Sequence, residues 1–170
     1  EIYTNTESSA ASDVYKRQVG EEDHVCTALD ELGELHMWRI AMKPGKPLVY
    51  GNVLNIPFIG LPGNPVSVYV TFCLFVSPYI KTMQGMTSVL PTSLQVKANF
   101  TWSRPGKRRE YLRARLSRDN DGYDQVEIYP QQGSGVLTST SWADGLVVVP
   151  VGVTIKKNDM VEYLAFKEFL

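Results

Sequence analysis

Asn64-Pro65 opens the segment that most limits what this chain can fold into. Asparagine is a strong N-cap and proline fits the first helical position, so a helix is predicted from Pro65 to about Met83. Val66, Val68, Tyr69, Val70, Phe72, Leu74, Phe75, Val76, Tyr79 and Ile80 make it apolar nearly all round. Such a helix is expected to be buried on most sides, so the rest of the chain has to cover it. Its apolar stretch, Val66–Ile80, is broken by Ser67, Thr71, Ser77 and Pro78. That is shorter than the roughly 20 residues of a membrane span, and no membrane association is expected. Pro78 predicts a kink or an early end.

Before this helix, apolar residues at 25, 28, 29 and 32 predict a short helix over Val25–Leu32, stopped by Gly33. Glu34–Met42 reads as a strand, and Leu48–Tyr50 and Ile56–Gly60 as short buried strands around an Asn52–Asn55 turn. After about Thr87 the pattern changes. Ser93–Phe100, Tyr111–Ser117, Gln125–Pro130, Leu146–Pro150 and Met160–Phe166 have strand length and strand composition, with turn-rich stretches between them. The expected organisation is a partial α/β domain over residues 19–86 and a small β-domain, a barrel or sandwich, over 87–170.

Residues 1–18 stand apart. Ser8–Gln18 (SSAASDVYKRQ) matches the in-frame translation of a transposon adapter used in sequencing libraries, so this tail is set aside as artefactual or disordered. The natural sequence is expected to begin near Val19, inside a gene. Nothing in the tail reads as a secretory signal. Two cysteines, Cys26 and Cys73, cannot make a disulfide scaffold, and both fall in apolar stretches that suggest buried reduced thiols. His24 and His36 have no zinc-ligand spacing. The expected setting is soluble and cytoplasmic. Seventeen basic against eighteen acidic residues give a net charge of -1, so general nucleic-acid electrostatics are not expected of the whole chain.

Three loops and a strand carry candidate chemistry. Lys43 and Lys46 flank a Pro-Gly turn, and an anion between them would relieve their repulsion; two solvated turn lysines are the plainer alternative. Leu61-Pro62-Gly63-Asn64-Pro65 feeds a helix N-terminus, with Ser67 in the first turn, and offers either an anion site or ordinary capping. Lys97, Arg104, Lys107, Arg108, Arg109, Arg113, Arg115 and Arg118 form a basic run opposed only by Glu110. On a strand, Arg113 and Arg115 share a face with Tyr111, so a guanidinium could grip an oxyanion bidentately or simply face solvent. Gln132-Gly133-Ser134-Gly135 permits close backbone approach and offers a hydroxyl. Asp23, beside Glu21 and Glu22, could hold a divalent cation or only begin a helix.

Taken together, GEED at Gly20–Asp23, ALDELGELHMW at Ala28–Trp38, MKPGKP at Met42–Pro47 and GLPGNPVS at Gly60–Ser67 resemble the third domain of the MoeA family, the molybdopterin molybdotransferases or molybdenum insertases. The likeness continues through Arg104-Pro105-Gly106, Arg109–Arg113, Gln132–Gly135 and Asp144-Gly145-Leu146 in family order, from Val19 to Leu170.

The resemblance implies an α/β + β fold: part of a molybdopterin-binding α/β sandwich related to molybdopterin-adenylyltransferase domains, then a small β-barrel. It implies insertion of molybdenum from molybdate into adenylylated molybdopterin with release of AMP, assisted by a divalent cation, usually Mg2+. It also implies an elongated homodimer, contact with the molybdopterin adenylyltransferase, and no nucleic-acid or membrane partner. By position, Asp23 and Lys43 take catalytic roles, with Asp23 also the metal ligand. Lys43, Lys46, Pro47, Ser67, Arg113 and Ser134 correspond to the molybdate site, and Gly63, Asn64, Pro65 and Arg39 to a pterin-phosphate loop. Arg39 stands where some members have lysine.

The family's first two domains and the start of its third are missing from this resemblance, so insertase activity is not expected of the fragment alone. A scaffold role, as in the receptor-organising eukaryotic relatives, is the alternative. An RNA-binding β-domain built on the basic run is a third reading, recognisable by a steep loss of affinity with salt.

Overall fold

The computed structural model describes residue 29 and residues 31–169, the side chains of 37–39 excepted. The adapter-like tail, the Gly20–Asp23 turn, His24, Cys26 and most of the first predicted helix lie outside the described residues. The described chain forms two compact units, residues 31–38 with 48–60 and residues 39–47 with 61–169.

The first unit is a three-stranded sheet in the order β1 (Gly33–Arg39), β3 (Pro47–Val53), β4 (Ile56–Gly60). β3 and β4 pair antiparallel from Val49↔Gly60 to Val53↔Ile56. The hairpin loop is therefore only Leu54-Asn55, both at positive φ (51° and 65°), a two-residue turn that matches strand twist. The strand predicted to stop at Tyr50 runs on through Val53. β4 is also less buried than expected, with Ile56 67% exposed. β1 and β3 approach closely because they meet at glycine: a Cβ on Gly51 would stand 2.4 Å from Glu34 O.

The second unit is a closed barrel. β6 (Arg109–Arg118), β7 (Asp124–Ile128), β5 (Ser93–Ala98), β9 (Met160–Ala165) and β8 (Gly145–Val149) follow in that order, and β8 pairs back onto β6. All five strands lie where alternation placed them. Leu112, Ala114, Val126, Val147, Val149, Val161 and Tyr163 fill the interior. Residues of opposite parity, Leu146, Val148 and Leu164, point outward and meet Met42, Val66, Val70 and Cys73. β8 is buried along its whole length, as a strand covered on both faces must be.

That outer cover is the apolar helix: α1 (Pro65–Thr71), a π-helical turn (Phe72–Val76) and α2 (Ser77–Met83). The π-turn is the local answer to Pro78. Ser77 N bonds Phe72 O five residues back, wide spacing just where proline's missing N–H and ring break the ordinary ladder. The helix continues rather than ending early. At 19 residues and mean hydropathy 1.3, Pro65–Met83 is also long and apolar enough to cross a membrane, longer than the sequence reading allowed. It instead packs on the barrel through Val66, Val70 and Cys73, with Ser77 Oγ donating to Phe169 O. Its other face leaves Phe75, Ile80 and Met83 exposed, so it is buried on one side rather than most. β2 (Met42–Lys43) adds a short parallel edge to β6, and α3 (Thr138–Trp142) precedes β8.

Candidate functional site

Chain entry to the site begins at β2. Its parallel register sets Met42 beside Arg109 and Lys43 beside Glu110. The chain then turns through Pro44-Gly45 to Lys46. Gly45 has φ +103°, and a Cβ there would meet Thr71 Cγ2 at 2.7 Å, so glycine lets this loop lie against the helix. Thr71 Oγ1 donates to Ser67 O, which keeps that first turn compact.

Lys43, Lys46, Ser67, Arg108, Gly133 and Ser134 line one cavity of about 410 Å³, with Pro44, Gly45 and Gln132 completing the wall. Two separately predicted loops thus converge with Ser67 on one space. Arg108 Nη1 donates to Met42 O at 3.1 Å, which ties one arm of its guanidinium group to β2. Lys43 Nζ lies 3.0 Å from Glu110 Oε2.

Asn64 occupies the N-cap position, yet its side chain does not cap the helix. Asn64 Nδ2 instead donates to Ser134 Oγ at 3.1 Å and joins the helix entry to the Gly133-Ser134 loop. A hydroxyl that accepts from an amide keeps its own proton for a third group, here whatever occupies the cavity. Gly63 and Pro65 are exposed and do not line the cavity, and neither does Pro47. The side chain of Arg39 and all of Asp23 lie outside the described residues.

Arg113 is 1% exposed and does not line the cavity. Its Nε donates to Ser139 Oγ (3.0 Å), Nη2 to Gly133 O (3.2 Å) and Nη1 to Tyr111 O (3.4 Å). Burial lowers its pKa to about 10, so it remains a cation at neutral pH. The fork that could have gripped an oxyanion directly is spent on protein acceptors, and it holds the wall that carries Ser134. Arg115 shares the outward face of β6, as expected, but donates to Trp142 O and stacks over the Trp142 ring.

Arg108 and Gln132 are site residues to which sequence reasoning gave no role of their own, Gln132 being named only as the start of the Gly133-Ser134 loop. Arg108 was visible only as one member of the basic run. Elsewhere the run is partly neutralised: Lys97 pairs with Asp119 and Arg118 with Asp124. Cys73 is a buried free thiol, as its apolar setting suggested, and burial pushes its pKa up to about 11.

Comparison with known proteins gives a consistent picture. Residues 19–82 match the family described as a probable molybdopterin binding domain, and residues 95–166 match the MoeA C-terminal region (domain IV). The molybdopterin molybdenumtransferase of Haemophilus influenzae is 34% identical over 122 residues, 71% of this chain and 30% of the relative. That of Nostoc sp. is 33% identical over 141 residues, 80% of this chain and 32% of the relative. The chain thus spans about a third of the length of these curated relatives. The crystal structure of the MoeA molybdopterin biosynthesis protein from Pyrococcus horikosii superposes with a TM-score of 0.65 at 26% identity, over 97% of this chain and 42% of that one.

Proposed function

Because the chain belongs to the MoeA family of molybdenum cofactor biosynthesis, we propose that its cavity holds molybdate for insertion into adenylylated molybdopterin, with release of AMP. One observation carries the reading: Lys43, Lys46 and Arg108 line a single cavity with Ser67 and Ser134.

A tetrahedral dianion leaves water only where cations and hydroxyls replace its solvation. Lys43 and Lys46 supply compact charges with rotatable donors, and Arg108 a planar fork steadied by Met42 O. Ser134, oriented by Asn64, donates its hydroxyl proton to an oxide. As two dithiolene thiols of the substrate form Mo–S bonds, one oxide leaves molybdenum as water and takes up the two thiol protons. Lys46 is the lining ammonium that no described carboxylate holds, and it steadies the charge on the oxides that remain. These groups work by position and charge rather than by covalent bonds to the substrate.

The resemblance also implies Mg2+. Among the described residues no group of three or more His, Cys, Asp or Glu side chains is placed to hold a metal ion. The described lining holds Lys43, Lys46 and Arg108 and no carboxylate, so the cavity residues do not fit a cation, and the steps above run on Lys43, Lys46, Arg108 and Ser134 alone; Asp23 lies outside the described residues. The whole protein, on this reading, works as a homodimer that receives its substrate from the molybdopterin adenylyltransferase.

The test joins this chain from Val19 to the upstream portion of a relative and supplies adenylylated molybdopterin, magnesium and molybdate. Molybdate-dependent AMP release is expected, falling by about a hundredfold in Lys46→Ala and in Arg108→Ala. Release that ignores molybdate, or that both variants leave unchanged, would remove the reading.

A further inference from the structure

One carboxylate stands behind the cations of the cavity wall, against Lys43 and outside the lining itself. Glu110 is 4% exposed at the start of β6, where the parallel register with β2 sets it beside Lys43. Its Oε2 lies 3.0 Å from Lys43 Nζ and makes no aligned hydrogen bond, so proximity of charge alone compensates it. Its Oε1 occupies space that only glycine leaves open, because a Cβ on Gly106 would come within 2.3 Å of it. The two partners differ sharply in environment: the Lys43 side chain is 48% exposed and that of Glu110 6%. A buried carboxylate kept beside an oxyanion pocket opposes the ligand that the pocket collects, and its field is poorly screened there.

We propose that Glu110 is a specificity-determining residue of this oxyanion pocket: paired with Lys43, it holds affinity down in proportion to the charge on the anion. The inference rests on the cavity being the oxyanion site. Without Glu110 the wall would carry Lys43, Lys46 and Arg108 unopposed and would grip the most highly charged oxyanion hardest. With it, one cation is offset, and a dianion is held without being trapped. Coulomb energy is linear in ligand charge, so the effect has a signature that packing alone cannot produce.

Molybdate and perrhenate are both tetrahedral oxyanions, and perrhenate carries one charge fewer. The full chain is titrated with each by calorimetry at low salt, as wild type, E110Q, K43Q and the double variant. E110Q is expected to tighten molybdate about tenfold and perrhenate about threefold, the square-root relation that halved charge requires. K43Q weakens molybdate because it removes a lining ammonium and leaves the buried Glu110 charge behind it unpaired. The double variant, with the wild-type charge restored but the Lys43 donor gone, is expected to bind molybdate more tightly than K43Q. It removes both charges together, so it also serves if E110Q alone does not fold. Equal tightening of both anions, no tightening, or a double variant as weak as K43Q would overturn the inference. Binding that is lost in Lys46→Ala and Arg108→Ala but indifferent to E110Q would overturn it while leaving the oxyanion pocket standing. If the wild type binds neither anion, both fall.

Discussion

Gln132 acts as a strand neighbour for Arg113. Its side-chain oxygen accepts from Arg113 N at 2.9 Å, and its Nε2 donates to Arg113 O at 3.0 Å and to Tyr129 O at 2.8 Å. One amide thus bonds both backbone groups of Arg113, whose O also accepts from Tyr129 N, while the Arg113 side chain reaches back to Gly133 O. The loop carrying Ser134 is fastened to β6 twice, once by each residue's side chain.

Gln132→Ala should therefore cost more than a loop substitution usually does. It leaves Arg113 N without its side-chain acceptor, while Arg113 O keeps the Tyr129 N–H at 3.0 Å, a loss of about 1–3 kcal/mol. Urea unfolding reads this directly. Molybdate affinity should fall in parallel, because Ser134 loses its fixed position. Unchanged stability would mean that water or a neighbouring strand replaces the amide.

Arg113→Lys separates charge from geometry. If Arg113 served the anion as a charge, lysine would largely preserve binding. In this structure its work is the three-way fork to Ser139, Gly133 and Tyr111, which a single ammonium cannot reproduce. Lysine should be nearly as damaging as alanine, at about 2 kcal/mol of stability. Binding that survives in the lysine variant at unchanged stability would restore a direct role in holding the anion.

The five barrel strands were legible because each alternates on its own and is bounded by turn residues. The meeting of the Lys43–Lys46 and Gly133-Ser134 loops with Ser67 was legible one piece at a time, as separate anion candidates. What stayed hidden depends on pairing between distant residues. No local pattern announces that Lys43 registers with Glu110 across β2 and β6. That pairing recruits Arg108 and turns Glu110 from the odd member of a basic run into a partner. The π-turn before Pro78 was hidden too, since proline advertises a break without saying how the helix absorbs it.

Cys73 predicts an alkaline weakness. Burial raises the thiol's folded pKa from its ordinary value of 9.0 to about 11. The folded state therefore keeps its proton where the unfolded state has lost it. The resulting stability is complete below pH 9 and is lost as pH rises toward about 11. The loss amounts to about 1–3 kcal/mol. Chemical unfolding across that window should show the decline in the wild type and a flatter course in Cys73→Ala, whose stability is lower throughout for lack of the sulfur. Equal slopes would assign the alkaline loss to other groups, Tyr163 first, since its burial against Asp144 pushes its pKa up as well.

Gly45→Ala tests whether the lysine loop needs its seat on the helix. Two costs add at this residue. The backbone sits at φ +103°, and the new Cβ would meet Thr71 Cγ2 at 2.7 Å. Each is of order 1–2 kcal/mol. Thr71→Ser removes that methyl and keeps the hydroxyl that bonds Ser67 O. The double variant Gly45→Ala/Thr71→Ser should recover the steric part alone, regaining about half of the lost stability and part of the lost molybdate affinity. Full recovery would mean that the positive φ carries no strain. No recovery would mean that conformation alone drives the loop off the helix and separates Lys43 and Lys46 from Ser67.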